Sequence, residues 1–167
     1  MKLVYYPDKI LTEKTKPVRN YGKSLSKITE EMKEFVNYMG ADGLAAPQVG
    51  LNKRMFVARI QGALVTFVNP KVIKANQDVG VSREGCLSAP GVMARLDCRS
   101  VDIEVEAKDA EGKSFTKKLY GTDAIVFQHE YDHLDGITVF ERMSKLQRRL
   151  KIKRLAKAKR RHHDRNG

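Results

Sequence analysis

Cysteine is scarce in this chain: two in 167 residues, with no tryptophan and only five prolines. A chain of this length buries an adequate core without staples. Two cysteines therefore exclude a disulfide-framed module and leave each thiol free for packing or chemistry, as in a reducing compartment. Long apolar runs are missing too. Nothing approaches the roughly 18 to 20 residues of a membrane span. The opening Met1-Lys2-Leu3-Val4-Tyr5-Tyr6-Pro7-Asp8 has neither the apolar stretch of a signal peptide nor the Arg/Ser-rich, acid-poor character of a transit peptide. The expectation is a cytoplasmic protein with no membrane partner. Acidic residues are nearly absent from one region: from Arg142 to Gly167 twelve Lys/Arg stand against one acid, Asp164, whereas residues 1–141 hold 20 Lys/Arg and 19 Asp/Glu. The body is almost neutral and the tail is polycationic. That asymmetry speaks of an anionic partner and says nothing about fold.

No repeat, low-complexity tract or Pro/Gly/Ser linker divides the chain. Leu25, Ile28, Met32, Phe35, Val36 and Met39 recur at helical spacing, which predicts an amphipathic helix over 24–39 with Ser24 or Ser26 as N-cap. Met55 to Ile60, the turn-like Gln61-Gly62, and Leu64 to Val68 before Asn69-Pro70 predict a buried β-hairpin. Val101, Ile103, Val105 and Ala107 alternate with Asp102, Glu104, Glu106 and Lys108, a half-buried strand that turns through 109–113 into a partner over 114–120. Thr122 or Asp123 can cap a helix running to about Leu134, with Gly136 ending it. A last helix starts near Ser144, with Leu146, Leu150 and Leu155 roughly on one face. The fold class expected is α+β: antiparallel sheets around a central helix, forming one domain over 1–143, followed by a basic C-terminal helix and tail over 144–167.

The central helix carries His129-Glu130-Tyr131-Asp132-His133. Two histidines four apart share one helical face and can hold one metal ion, with Glu130 beside them to work on a metal-bound water. The bland reading is two satisfied histidines. A catalytic metal needs a third protein ligand and an open position. A metzincin would supply a histidine three residues past Gly136, where Val139 stands. A thermolysin-like protease would supply a downstream glutamate, and Asp135, Glu141 and Asp164 are either too near the motif or in the tail. Upstream, Cys86 lies in Glu84-Gly85-Cys86-Leu87-Ser88 and could complete a Cys-His-His set, or could be a small buried hydrophobe. Cys98 has no such setting. Gly43-Leu44-Ala45-Ala46-Pro47-Gln48 is either a tight helix-to-strand corner or a close approach with Gln48 ready to donate to a carbonyl oxygen.

These three strings, in this order and spacing, resemble the signature motifs of the peptide deformylases, and Tyr6 to Leu11 with Lys16-Pro17-Val18 resembles that family's opening segment. The resemblance runs from about residue 3 to about residue 150. It implies a hydrolase that removes the formyl group from the formyl-methionine of newly made polypeptides and releases formate. It also implies Cys86, His129 and His133 as ligands of one divalent metal, Fe²⁺ natively, with Zn²⁺, Ni²⁺ or Co²⁺ able to substitute. Glu130 would move the proton, while Gln48 and the Leu87 N–H would hold the oxyanion. Gly43, Leu44, Glu84, Gly85, Ile125, Val126 and the His129 ring would contact the substrate, and the enzyme would act as a monomer. The basic tail is either a solvated terminal helix or, as it resembles the segment by which such enzymes associate with the ribosome, a helix that docks on RNA phosphates. Two departures fall at the expected cleft rim. Ala41-Asp42-Gly43 stands where Gly-x-Gly is usual, and Met93 replaces an arginine, with Arg95 close by as a substitute. The competing classes are a zinc metalloprotease and an RNA-binding protein with a non-catalytic metal site.

Overall fold

The structure, a computed structural model, describes residues 1–166 and the side chains of residues 1–156. Helix α1 spans Lys23–Met39 and β1 spans Gly43–Ala45. Strands β2 (Met55–Ile60) and β3 (Ala63–Ala75) form the expected hairpin. Its two-residue turn puts both Gln61 and Gly62 at positive φ, the geometry whose twist matches that of the strands. Strands β4 (Val79–Gly85) and β5 (Met93–Ser100) form a separate two-stranded sheet, and β6 (Asp102–Lys108) and β7 (Ser114–Tyr120) return to the main one. The main sheet is antiparallel in the order β1-β2-β3-β6-β7. Helix α2 (Gly121–Leu134), the short α3 (Val139–Arg142) and α4 (Lys145–Asn166) complete the α+β architecture.

The five-stranded sheet lies between α1 and α2, which is why β2 is apolar at nearly every position. Met55 and Val57 pack with Leu25, Met32 and Val36 of α1, whereas Phe56, Ala58 and Ile60 face the α2 side. On that side Phe56, Phe67 and Phe127 form a triangle with ring centroids 5.0 to 5.1 Å apart. A third apolar cluster joins β5 to the C-terminal helices through Leu96, Phe140, Met143 and Leu155.

Several expectations need correction. The N-cap of α1 is Gly22, without a side-chain cap; Ser26 lies inside the helix and its hydroxyl bonds to Gly22 O or to Glu111. Helix α2 likewise starts after Tyr120, and Asp123 in its first turn accepts from the Gln61 N–H at the hairpin turn. Strand β3 continues past Asn69-Pro70, because Asn69 takes a positive φ at a register irregularity and its amide side chain holds Val18 at both N–H and C=O. Leu146 and Leu150 are exposed at 68% and 52%, so of the three tail leucines only Leu155 joins the core, beside Ile152. Gly167 and the side chains of residues 157–167 lie outside the described residues.

The β4–β5 hairpin was not expected from the pattern. In β4 the inward residues are Ser82 and Glu84, while Val79 and Val81 are exposed, inverting the usual alternation. In β5 the inward residues begin as Ala94 and Leu96. One extra residue between Leu96, opposite Ser82, and Arg99, opposite Gly80, then changes the parity. Arg99 therefore turns inward and Cys98 is exposed.

Candidate active site

Three segments converge around α2. The first is the turn of 3-10 helix at Ala46–Val49 after β1, closed by Gly50 at φ 78°. The second is the turn that follows β4 and carries Cys86, and the third is the middle of α2 itself. The N-terminal segment ties the first two together: Val4 N–H donates to Gln48 O and Tyr6 N–H to Ser88 O, at 2.8 and 2.9 Å.

Cys86, His129 and His133 present ligand atoms within 4.8 Å of one another, and Cys86 Sγ lies 3.3 Å from His133 Nε2. Burial would raise the Cys86 thiol pKa, but the two adjacent imidazoles outweigh it and hold the group well below its ordinary value. Burial likewise works against protonation of His129, and hydrogen bonding with Cys86 and Glu84 overcomes it, raising that pKa. The adjacent imidazoles thus favour the ionised form of the thiol, the form in which it would hold a divalent cation. One thiolate with two imidazoles is a borderline-soft donor set, suited to Fe²⁺, Zn²⁺, Ni²⁺ or Co²⁺ rather than Mg²⁺ or Ca²⁺. The residues fit the metal implied by the sequence.

Glu84 supports the cluster from behind. Arg99 donates to both its carboxylate oxygens at 2.8 Å, Ser82 Oγ donates at 2.7 Å, and His129 Nδ1 faces Oε2 at 2.9 Å. Burial works to raise the Glu84 pKa, and the bonds from Arg99, His129 and Ser82 together hold it well below the carboxylate range. An ionised Glu84 can only accept, so His129 carries its proton on Nδ1 and turns Nε2 to the cluster. All four acceptor positions of Glu84 are filled by the protein, so it supports His129 from behind, and the residue also lines the cleft.

Glu130 is 4% exposed, and its Oε2 has no hydrogen-bond partner among the described residues. Burial raises its pKa to about 7, against the pull of the two histidines. Its room comes from Gly43, where a Cβ would stand 2.5 Å from Glu130 Oε1. Gln48, also buried, accepts from the Ala45 N–H through Oε1 at 2.8 Å, so its amide NH₂ is turned toward Cys86 Sγ and Ser88 Oγ at 3.4 and 3.3 Å. A side-chain donor held at its other end is preorganised for an oxygen that gains charge during reaction.

These groups open on a cleft of about 510 Å³. Gly43, Gln48, Gly85, Cys86 and Leu87 line one wall; Ile125, Val126, His129 and Glu130 of α2 line the other. Leu44 is not among them: its side chain is fully buried in the core beneath α1. At the rim stand Ala41, Asp42 and Met93, as the departures suggested, together with Arg83. Arg95 lies across the hairpin from Arg83 and away from the cleft lining, so the rim cation is Arg83. The sequence reading missed the parts played by Arg99, Asp132, Arg142 and Ser82; the inverted alternation of β4 is a signal for Ser82 alone.

The comparisons agree with this geometry. A family model for polypeptide deformylase matches residues 1–149. Peptide deformylase from Thermotoga maritima is 36% identical over 150 residues, covering 90% of this chain and 91% of that protein. The chloroplastic peptide deformylase 1B of rice is 39% identical over 149 residues; the alignment covers 86% of this chain and 55% of that longer protein. The crystal structure of peptide deformylase from Ehrlichia chaffeensis superposes with a TM-score of 0.91 at 30% identity, over 97% of this chain and 98% of that one. No helix among the described residues is long and apolar enough to cross a membrane. The matched span takes in every segment that builds the cleft, from the N-terminal segment to α2, and the chain therefore belongs to the peptide deformylase family of metal-dependent hydrolases.

Proposed function

We propose that this cleft hydrolyses the N-formyl group of formyl-methionine at the start of newly made polypeptides, releasing formate and a free amine. The observation that carries the reading is the buried, unpartnered Glu130 Oε2 in a cleft that Gln48, Cys86 and His129 also line. Held by those three residues, a divalent cation, natively Fe²⁺ with Zn²⁺, Ni²⁺ or Co²⁺ as substitutes, supplies a Lewis acid and a water of lowered pKa. Glu130, raised to about 7 by burial, accepts the proton of the attacking water and returns it to the leaving amine. The Gln48 amide and the Leu87 N–H donate to the oxygen that gains charge. Ile125 and Val126 offer the apolar surface that an unbranched methionine side chain fills, and the peptide beyond lies extended along Gly43 and Gly85.

The test is formate release from formyl-Met-Ala-Ser by anaerobically purified protein. Glu130→Gln is expected to lower kcat on the order of a hundredfold to ten-thousandfold with metal content unchanged. Metal-loaded wild type that releases no formate would overturn the assignment.

We assign catalysis to residues 1–143, acting as a monomer in the cytoplasm, and contact with ribosomal RNA to the basic segment 144–167. The charge of that segment supports the second assignment. Full-length protein is expected to co-sediment with ribosomes at low salt and to be released as salt rises; no co-sedimentation at low salt removes it.

A further inference from the structure

An unbroken line of charged side chains leads from the surface at α3 to the cluster. Arg142 donates through Nε to Asp132 Oδ2 at 2.9 Å and through Nη2 to Oδ1. Asp132 Oδ2 also accepts from Arg99 Nη1 at 2.7 Å. The other edge of the same guanidinium grips both oxygens of Glu84, and Glu84 holds His129 Nδ1. Asp132, Arg99 and Glu84 are all under 9% exposed, so nothing but each other and the adjoining polar groups balances their charge. Arg142 is the one member with an open side, its side chain 36% exposed.

We propose that Arg142 is a positioning residue for the ligand His129, acting through Asp132, Arg99 and Glu84. The inference rests on the reading of Cys86, His129 and His133 as a metal site. The charge arithmetic supplies the reason. Two carboxylates, Glu84 and Asp132, are matched by two guanidinium groups, and each carboxylate is gripped at both oxygens by one of them. Without Arg142, Asp132 keeps a single contact from Arg99 and becomes a buried carboxylate short of a cation. It then draws on Arg99, whose fork is what holds Glu84 square to His129. A loosened Glu84 lets the His129 ring rotate off the direction that serves the cluster. Distance along the chain does not weaken the effect, because every link is a charge-assisted hydrogen bond in a site with little water to screen it.

The molecule contains its own control. On another side of α2, Arg54 donates to Asp135 Oδ1 at 2.8 Å and lies over the Tyr131 ring at 5.0 Å. It is a partly buried Arg–Asp clamp at the C-cap of the same helix, and it has no hydrogen bond to Glu84 or His129.

The experiment is Co²⁺ binding by full-length, metal-free protein, followed by visible absorption and by competition with a chelator. Arg142→Ala is expected to lower Co²⁺ affinity about tenfold or more. Arg142→Lys, which keeps the cation but loses the fork, should fall between Arg142→Ala and wild type, and it carries the test if Arg142→Ala does not fold. Arg54→Ala should retain wild-type affinity. Folded Arg142→Ala with wild-type affinity would overturn the inference, and so would an equal loss in Arg54→Ala. Wild type that binds no Co²⁺ would overturn the metal-site reading itself, and this inference with it.

Discussion

Helix α2 is buried on two faces that are held in opposite ways. Toward the five-stranded sheet it presents Ala124, Phe127 and Leu134 to an aromatic core made with Phe56 and Phe67. Toward the β4–β5 hairpin it presents His129, Asp132 and His133, and the partners there are Glu84, Arg99 and Cys86. Both faces are largely buried. The apolar face stabilises without fixing direction, because dispersion and water exclusion tolerate small slides. The ionic face is directional: each bond fixes an atom, and losing one partner strands a charge. The division explains how one helix can be an anchor for the fold and a precise mount for reactive groups.

The sharpest way to break the comparison is to damage each face once. Arg99→Met leaves Glu84 and Asp132 buried without their shared cation, and it is expected to cost about 3–5 kcal/mol of stability. Phe67→Ala empties part of the aromatic triangle and is expected to cost about the same, 3–5 kcal/mol. Urea unfolding measures both. They should part at the cluster: Arg99→Met loses Co²⁺ affinity and Phe67→Ala keeps it. An equal loss of affinity in folded Phe67→Ala would mean that the two faces do not act separately. A smaller effect sharpens the contrast on the chemical side. Gln48→Ala removes a donor aimed into the cleft and should slow formate release roughly a hundredfold or more, about 3 kcal/mol of barrier, while leaving Co²⁺ affinity near wild type. A drop in affinity instead would make Gln48 a support of the cluster and not an oxyanion donor.

The same division decides what could be read from the chain. Elements with a conventional pattern were legible: α1 from its Leu25-Met32-Val36 stripe, β2 from an apolar run broken only by Arg59, and β6 from its alternation. The β4–β5 hairpin was not, because its inward residues Ser82, Glu84 and Arg99 look like surface residues and its outward Val79 and Val81 look like core. At the site, the residues named by motif converge as expected: Gln48, Cys86, His129, Glu130 and His133 come together from three segments. What pattern could not supply is the structure behind them. The fork on Glu84 depends on a one-residue bulge that turns Arg99 inward in place of Cys98, and no periodicity announces a change of parity. Leu44 also sits inside a motif, and its side chain belongs to the core while its neighbour Gly43 makes room for Glu130.

Leu155 is the point where the C-terminal helix meets the body, packed with Phe140, Met143 and Leu96. Of the twelve Lys/Arg from Arg142 onward, five (Lys157, Lys159, Arg160, Arg161 and Arg165) come after it. A chain ending at Ala156 would therefore keep its mooring and shed nearly half of its tail charge, so that attachment to the enzyme and attraction to an anionic surface become two quantities that can be varied one at a time.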